Sequence, residues 1–311
     1  MKSVRITLLT ALAPMVWGTT YFVTTEFLPP DHPLFASLAR ALPAGLIALA
    51  ITRTLPRGQW WWKSMVLGVL NIGAFFPLLF VAAYLLPGGI AATLGAAQPL
   101  VVAVLVVALL GERLSAWRVV WGVVGVAGIA LIVLRSTATL DTIGIVAGVA
   151  GAVSMGLGVT LTKRWGRPPG VSALTLAGWQ LTAGGIFLLP VSVMFEGIPE
   201  AIDATALLGY AWLGIIGGLL AYTLWFRGIG RIPVTSVAVL GLLSPLVAAV
   251  LGVVLLGQNL GPMQLFGFAL ALAAIVAGQI VPRRWGRSAD AEKTVGSSPA
   301  HDPAPRYVRA E

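Results

Sequence analysis

The side chains able to do chemistry in this chain are few and far apart. Histidine occurs twice, at His32 and His301, and cysteine not at all. No HExxH or aspartate pair accompanies them, so neither a nucleophile with its base nor a clustered metal site is in view. No cofactor or metal is expected, and an intramembrane enzyme is the remote reading. What remains is recognition chemistry. Arg40 carries a guanidinium able to meet a carboxylate, phosphate or carbonyl. Asn71, Gln98, Gln180 and Ser244 bring hydrogen-bonding groups into apolar runs. Thr20 does so beside Trp17 and Tyr21, which are four residues apart and so share one helix face. Phe75, Trp179 and Tyr222 complete the aromatic candidates. Aromatic walls with a few hydrogen-bonding groups are what small-molecule sites are made of.

The elements holding these residues must be membrane spans. Of 311 residues 58% are hydrophobic and 10% charged, where a soluble domain carries about a quarter charged. A bilayer core takes about 20 apolar residues per helix, which leaves room for about ten spans. They are predicted at 6–28, 34–52, 64–86, up to 110, 116–134, 142–162, 172–194, 205–226, 234–256 and 262–281. Lys2 and Arg5 before an apolar run imitate a signal peptide, but hydrophobicity continues to Leu28, so the run reads as an uncleaved first span. Between spans two and three, Trp60, Trp61 and Trp62 stand with Arg57 and Lys63 in a linker of interfacial composition. Residues 283–311 read as a disordered tail.

Residues 87–114 and 233–260 say nearly the same thing, with fifteen of 28 pairs identical. Leu matched to Leu is cheap. Pro99 with Pro245, Gly95 with Gly241 and Gly111 with Gly257 are not. The chain therefore reads as a duplication, 1–140 and 141–282, and the shared prolines predict a bend or hinge in each copy. With the N-terminus inside, fifteen basic residues fall at cytoplasmic ends and loops, Arg53, Arg57, Lys163 and Arg164 among them, and Arg135 alone falls outside. The outer loops carry Glu26, Asp31, Asp141, Glu196, Glu200 and Asp203 instead. That segregation supports ten spans with both termini cytoplasmic. Five crossings per copy invert the second relative to the first, an arrangement recurrent in secondary transporters whose sites lie between the halves. The fold class expected is an all-α membrane protein of ten helices in two inverted five-helix repeats.

These motifs resemble the drug/metabolite transporter superfamily, specifically its EamA-type carriers. The resemblance rests on WGTTYFV at 17–23, LARALPAG around Arg40, QPLVVAVLVVALLGERL ending span four, WQLTAGG at 179–185 and SPLVAAVLGVVLLGQNL at 244–260. It implies a carrier of the bacterial inner membrane, often an exporter, for an amino acid-like or other small metabolite, working as monomer or homodimer without nucleic acid. Members often carry Glu after the glycine in both repeats; here Glu112 is matched by Gln258. A passive channel is the alternative from another class.

A charge at bilayer depth costs about 2.5–3.5 kcal/mol on insertion scales, so Arg40 needs a reason. Two are open: it faces a central cavity, or it snorkels or pairs with Glu26 at the helix end. Asn71 is expected in a cavity or an interhelix bond. Gln98 and Ser244 precede the repeated prolines, which raises both, while Phe75 and Phe76 suit plain packing. Glu26 and Glu112 are helix-end or gating candidates. The glycines of 122–128 and 214–218 are expected to allow close helix approach.

Overall fold

The structure is a computed structural model that describes residues 2–85, 94–112, 115–133, 141–257 and 260–279. Every regular element among the described residues is a helix. Eight helical stretches are long and apolar enough to cross a bilayer, and the shorter Leu94–Leu110 and Ala116–Ile132 stand fourth and fifth in order. The tail at 283–311, together with Arg113 and Arg135, lies outside the described residues. Large apolar side chains such as Leu8, Val146, Met194, Phe195, Val254 and Phe266 point outward, as a lipid solvent requires.

The spans are less regular than their hydropathy predicts. The first is two helices, Lys2–Gly18 and Thr20–Phe27, parted at Thr19. The third begins at Trp60 rather than 64, because the three tryptophans start the helix Trp60–Gly68 instead of forming a linker. It then widens into a π-helical turn, Val69–Gly73, before Phe75–Leu85. Asn71 sits inside that turn. Pro77 lies in the first turn of the following helix, where no intrahelical N–H bond is lost. The eighth span repeats the device: Ala204–Ala211, a π-helical Trp212–Leu220, then Ala221–Ile229. Such turns leave carbonyls short of partners. A side chain from the opposite repeat reaches each one. Ser154 Oγ donates to Leu70 O at 2.9 Å, and Trp17 Nε1 donates to Gly217 O at 2.9 Å.

In the duplicated stretches the prolines do more than kink. The fourth span turns at Ala97 before Gln98–Leu110, and the ninth turns at Gly241–Leu242 between Val234–Leu240 and Leu243–Leu256. Tight three-residue bonds mark both breaks, Leu100 N to Ala97 O at 2.9 Å and Ser244 N to Gly241 O at 3.1 Å. A proline ring collides with the carbonyl four residues back, here Gly95 and Gly241, so each helix restarts instead of bending. Each copy closes on a glycine in the left-handed region, Gly111 at φ +65° and Gly257 at φ +62°. That conformation lets the cap N–H reach back to the last carbonyls, which explains why the glycine recurs in register.

Two antiparallel seams join the repeats. The second span, Pro33–Thr52, packs on the seventh, Ala173–Phe195. A Cβ added at Gly185 would lie 2.8 Å from the Leu42 Cα, and one at Gly45 would run into Thr182 N, so the backbones touch. Trp179 Nε1 ties one end by donating to Thr54 O at 2.8 Å. Glu196 ties the other, its carboxylate accepting from Leu34 N and Phe35 N at 2.8–2.9 Å. The fifth span, Ala116–Val133, packs likewise on the tenth, Pro262–Gln279, through Gly128 against Ala271 and Gly267. Trp117 Nε1 to Ala277 O, 2.8 Å, and Gln264 Nε2 to Ile132 O, 2.9 Å, hold its two ends. The first span lies on the eighth as the third lies on the sixth, Thr142–Trp165. These exchanged pairings are what an inverted two-fold relation between the halves produces.

Candidate functional site

Between the halves lies a cavity of about 250 Å³. It runs from mid-depth toward the face opposite the N-terminus, because its walls come from the later half of span one and the early part of span two. Along span one Trp17, Thr20 and Thr24 line it, a stripe at i, i+3, i+7. Arg40 enters from span two, seven residues or about 10 Å past its first helical residue. Phe75, Phe76 and Leu79 come from span three and Met155 from span six. Both restart points contribute: Gln98 with Pro99 from the first copy, Ser244 with Pro245 from the second. Tyr222 and Trp225 close the remaining side.

The walls are chemically divided. Trp17 packs on Tyr222 and Trp225 with ring centroids 4.9 and 5.1 Å apart. The bond to Gly217 O fixes its indole, so the aromatic wall is rigid. Arg40 is 7% exposed, and its guanidinium carbon sits 4.6 Å over the Phe76 ring. A cation placed on an aromatic face keeps its charge with less hydration. Of the two placements open for Arg40, the structure adopts the cavity wall.

Several expected positions lie elsewhere. Asn71 and Gln180 are fully buried but absent from the cavity wall. Asn71 Nδ2 donates to Gln180 Oε1 at 2.8 Å, cross-linking spans three and seven. The Tyr222 hydroxyl donates to Asn71 O at 3.4 Å, so the amide pair stands directly behind the wall. Trp179 is also outside the cavity, its ring tilted against that of Trp60 at 5.9 Å, where its indole can reach Thr54 O. Glu26 and Glu112 are exposed at helix ends. The side chain of Tyr21 lies outside the described residues. Thr24, Thr25, Met155 and Trp225 line the cavity without having been singled out in the sequence. The signal was present for two of them: Thr24 extends the Trp17–Thr20 stripe, and Trp225 is one helical turn beyond Tyr222.

The sequence pattern of the EamA-like transporter family matches residues 5–134 and again 142–277. The chain belongs to that family. Protein PecM of Dickeya dadantii (strain 3937) is 47% identical over 267 residues, which cover 86% of this chain and 90% of that one. A protein of Streptantibioticus cattleyicolor named a probable terminal-alkyne amino-acid exporter is 30% identical, covering 78% and 79%. A Salmonella typhimurium (strain LT2) protein named a probable amino-acid metabolite efflux pump is 25% identical, covering 86% and 92%. A solved crystal structure superposes with a TM-score of 0.75 over 92% of this chain and 99% of that one. At 22% identity it speaks for the fold alone. This EamA-like chain is thus a multi-pass membrane transporter, and its cavity lies on the boundary between the two repeats.

Proposed function

We propose that the chain exports a small organic metabolite across a bacterial inner membrane, the two inverted halves rocking around the cavity in alternating access. The observation that carries this reading is the cavity itself. It sits on the boundary between the repeats and takes a matched pair from each, Gln98–Pro99 and Ser244–Pro245. A site built from both halves changes accessibility when they move against one another. The exporter names of the relatives supply the direction. Trp17, Thr20, Arg40, Phe75, Gln98, Tyr222 and Ser244 meet the solute, and Asn71, Trp179 and Gln180 hold the wall behind it. The segregation of basic residues supports both termini in the cytoplasm, with the cavity mouth outside. The test is saturable counterflow in proteoliposomes, with a metabolite found by screening what overproducing cells excrete. Single-channel conductance with no saturation would make the chain a passive facilitator and overturn alternating access.

A further inference from the structure

Far from the cavity, on the face that carries the N-terminus, span three begins at Trp60 and span six ends at Trp165. The two ends meet. Trp62 packs edge-on against Trp165 with ring centroids 5.1 Å apart. Lys63 Nζ stands 5.6 Å from the Trp60 ring and 5.7 Å from those of Trp62 and Trp165. Three aromatic rings thus hold a half-buried ammonium at a set depth. The rings take up charge and leave the hydrogens unused. Lys63 Nζ and the indole N–H groups of Trp60, Trp62 and Trp165 have no hydrogen-bond acceptor among the described residues. Trp17, Trp117, Trp179 and Trp212 each have one. Arg53, Arg57, Arg164 and Arg167 stand exposed on the same two chain ends, and no Asp or Glu occurs in 53–63 or 163–172.

The corner related to this one by the inverted repeat, where span eight begins and span one ends, is made differently. It carries Glu26, Glu200 and Asp203 and no lysine or arginine, so the fold itself does not demand the basic cradle. Topology asks for basic residues on this face, but not for a lysine caged by tryptophans. Donors without acceptors are satisfied by a group that only accepts, and at the depth of an interfacial tryptophan that group is lipid phosphate. Trp61 and Met65, one helical turn apart and 58% and 44% exposed, offer the acyl chains an apolar surface beside it. We infer that the cradle binds the headgroup of an anionic phospholipid in the leaflet on the N-terminal side, bridging the two repeats through spans three and six. The inference does not depend on what the cavity carries.

Binding is read by native mass spectrometry of the detergent-purified chain, titrated with dioleoylphosphatidylglycerol or dioleoylphosphatidylcholine. Phosphatidylglycerol should bind saturably and at least about fivefold more tightly, the factor that one Lys or Arg near a bilayer surface supplies. Lys63→Gln and Arg164→Gln should each weaken it about fivefold. Trp165→Leu keeps every charge and should still weaken it about threefold, because Lys63 is no longer held. Arg5→Gln, exposed on span one at the same face, should leave binding unchanged. Equal affinity for the two lipids overturns the inference. So does a loss in Arg5→Gln equal to that in Lys63→Gln, which would make the attraction diffuse. Displacement of the lipid by millimolar inorganic phosphate would make the occupant a soluble anion and overturn the lipid assignment. If Lys63→Gln fails to fold, Arg164→Gln decides, since its side chain is exposed.

Discussion

Glu196 should stabilise the outer end of the seam between spans two and seven, although it belongs to neither span's apolar face. The helix Pro33–Thr52 starts with a proline, and its N-cap, His32, makes no side-chain capping bond. The first free backbone donors, Leu34 N and Phe35 N, would be left to water. Both Glu196 oxygens reach Leu34 N, at 2.9 and 2.8 Å, and one reaches Phe35 N at 2.9 Å. A side chain 162 positions away thus does the work of an N-cap. Loss of an ordinary cap costs about 0.5–2 kcal/mol. A carboxylate at a helix N-terminus adds about 0.3–1 kcal/mol through the dipole, at the lower end here because Glu196 is half-buried and partly screened. Glu196→Ala should therefore lower unfolding stability by ~1–2 kcal/mol, and Glu196→Gln, which keeps an acceptor but not the charge, by about half that. Denaturant titration in detergent micelles measures both. Raising salt from 0.05 to 0.5 M, which shortens the screening length to well under about 10 Å, should shrink the Gln deficit more than the Ala deficit. Glu200→Ala is the control: Glu200 is exposed on the same loop, and a surface change of that kind stays within about 0.5 kcal/mol. Equal stability of Glu196→Ala and Glu200→Ala would refute the capping argument. Arg40 lies about 10 Å further along the same helix, so a frayed first turn also loosens the depth at which the guanidinium is held.

Gly128→Ala should cost about 1–3 kcal/mol, because its Cβ would meet the Ala271 N at 2.7 Å and the Gly267 O at 2.8 Å, both backbone. Gly122→Ala on the same span meets the end of the Leu100 side chain at 3.1 Å and should cost distinctly less in the same denaturation assay. Asn71→Ala orphans Gln180 Oε1 and should destabilise by about 1–2 kcal/mol, while solute affinity, measured by counterflow, changes far less than in Arg40→Gln. The cysteine-free sequence makes topology testable: Arg57→Cys should be labelled by an impermeant maleimide only from the cytoplasm and Glu200→Cys only from outside, and the reverse pattern would invert the orientation.

The parts of the fold that could be read from sequence are those where lipid leaves the chain no choice. Ten apolar runs, the glycine ends at Gly111 and Gly257 and the duplication all follow from hydropathy and from backbone rules that one residue type obeys. The π-helical turns at 69–73 and 212–220 could not be read, because their apolar composition is that of ordinary helix. What stabilises them is the donor supplied from the other repeat, Ser154 or Trp17, and a sequence does not show which span lies opposite which. The same holds for Asn71, Gln180 and Trp179. A polar group in an apolar run must find a partner or a wet cavity, and residue type does not choose between them. Arg40 and the positions beside Pro99 and Pro245 were accessible to sequence reasoning for a different reason. A cation in mid-span and a helix forced to restart are both costly, and each marks a place where the structure must compensate.

The two faces of the protein are made differently, and the difference bears on mechanism. On the face that carries the N-terminus, every residue of Val234–Leu240 is buried. Lys163 Nζ donates to Ile232 O at 3.2 Å just before that helix, and Gln279 Nε2 donates to Ser236 O at 3.1 Å within it. Beyond the break, Ser244 and Pro245 line the cavity. One short helix thus seals one face, and the turn that ends it opens toward the other. The first copy carries the same Gly–Pro break, Gly95 with Pro99, in the opposite orientation. A seal on the opposite face could therefore be formed by the first copy as the second one's loosens, with similar contacts made and broken. Two states related in this way differ little in free energy, which is the condition under which a solute bound between them can shift their balance. Under the proposed alternating access, the duplicated break at Pro99 and Pro245 is the element that both accessibilities would share.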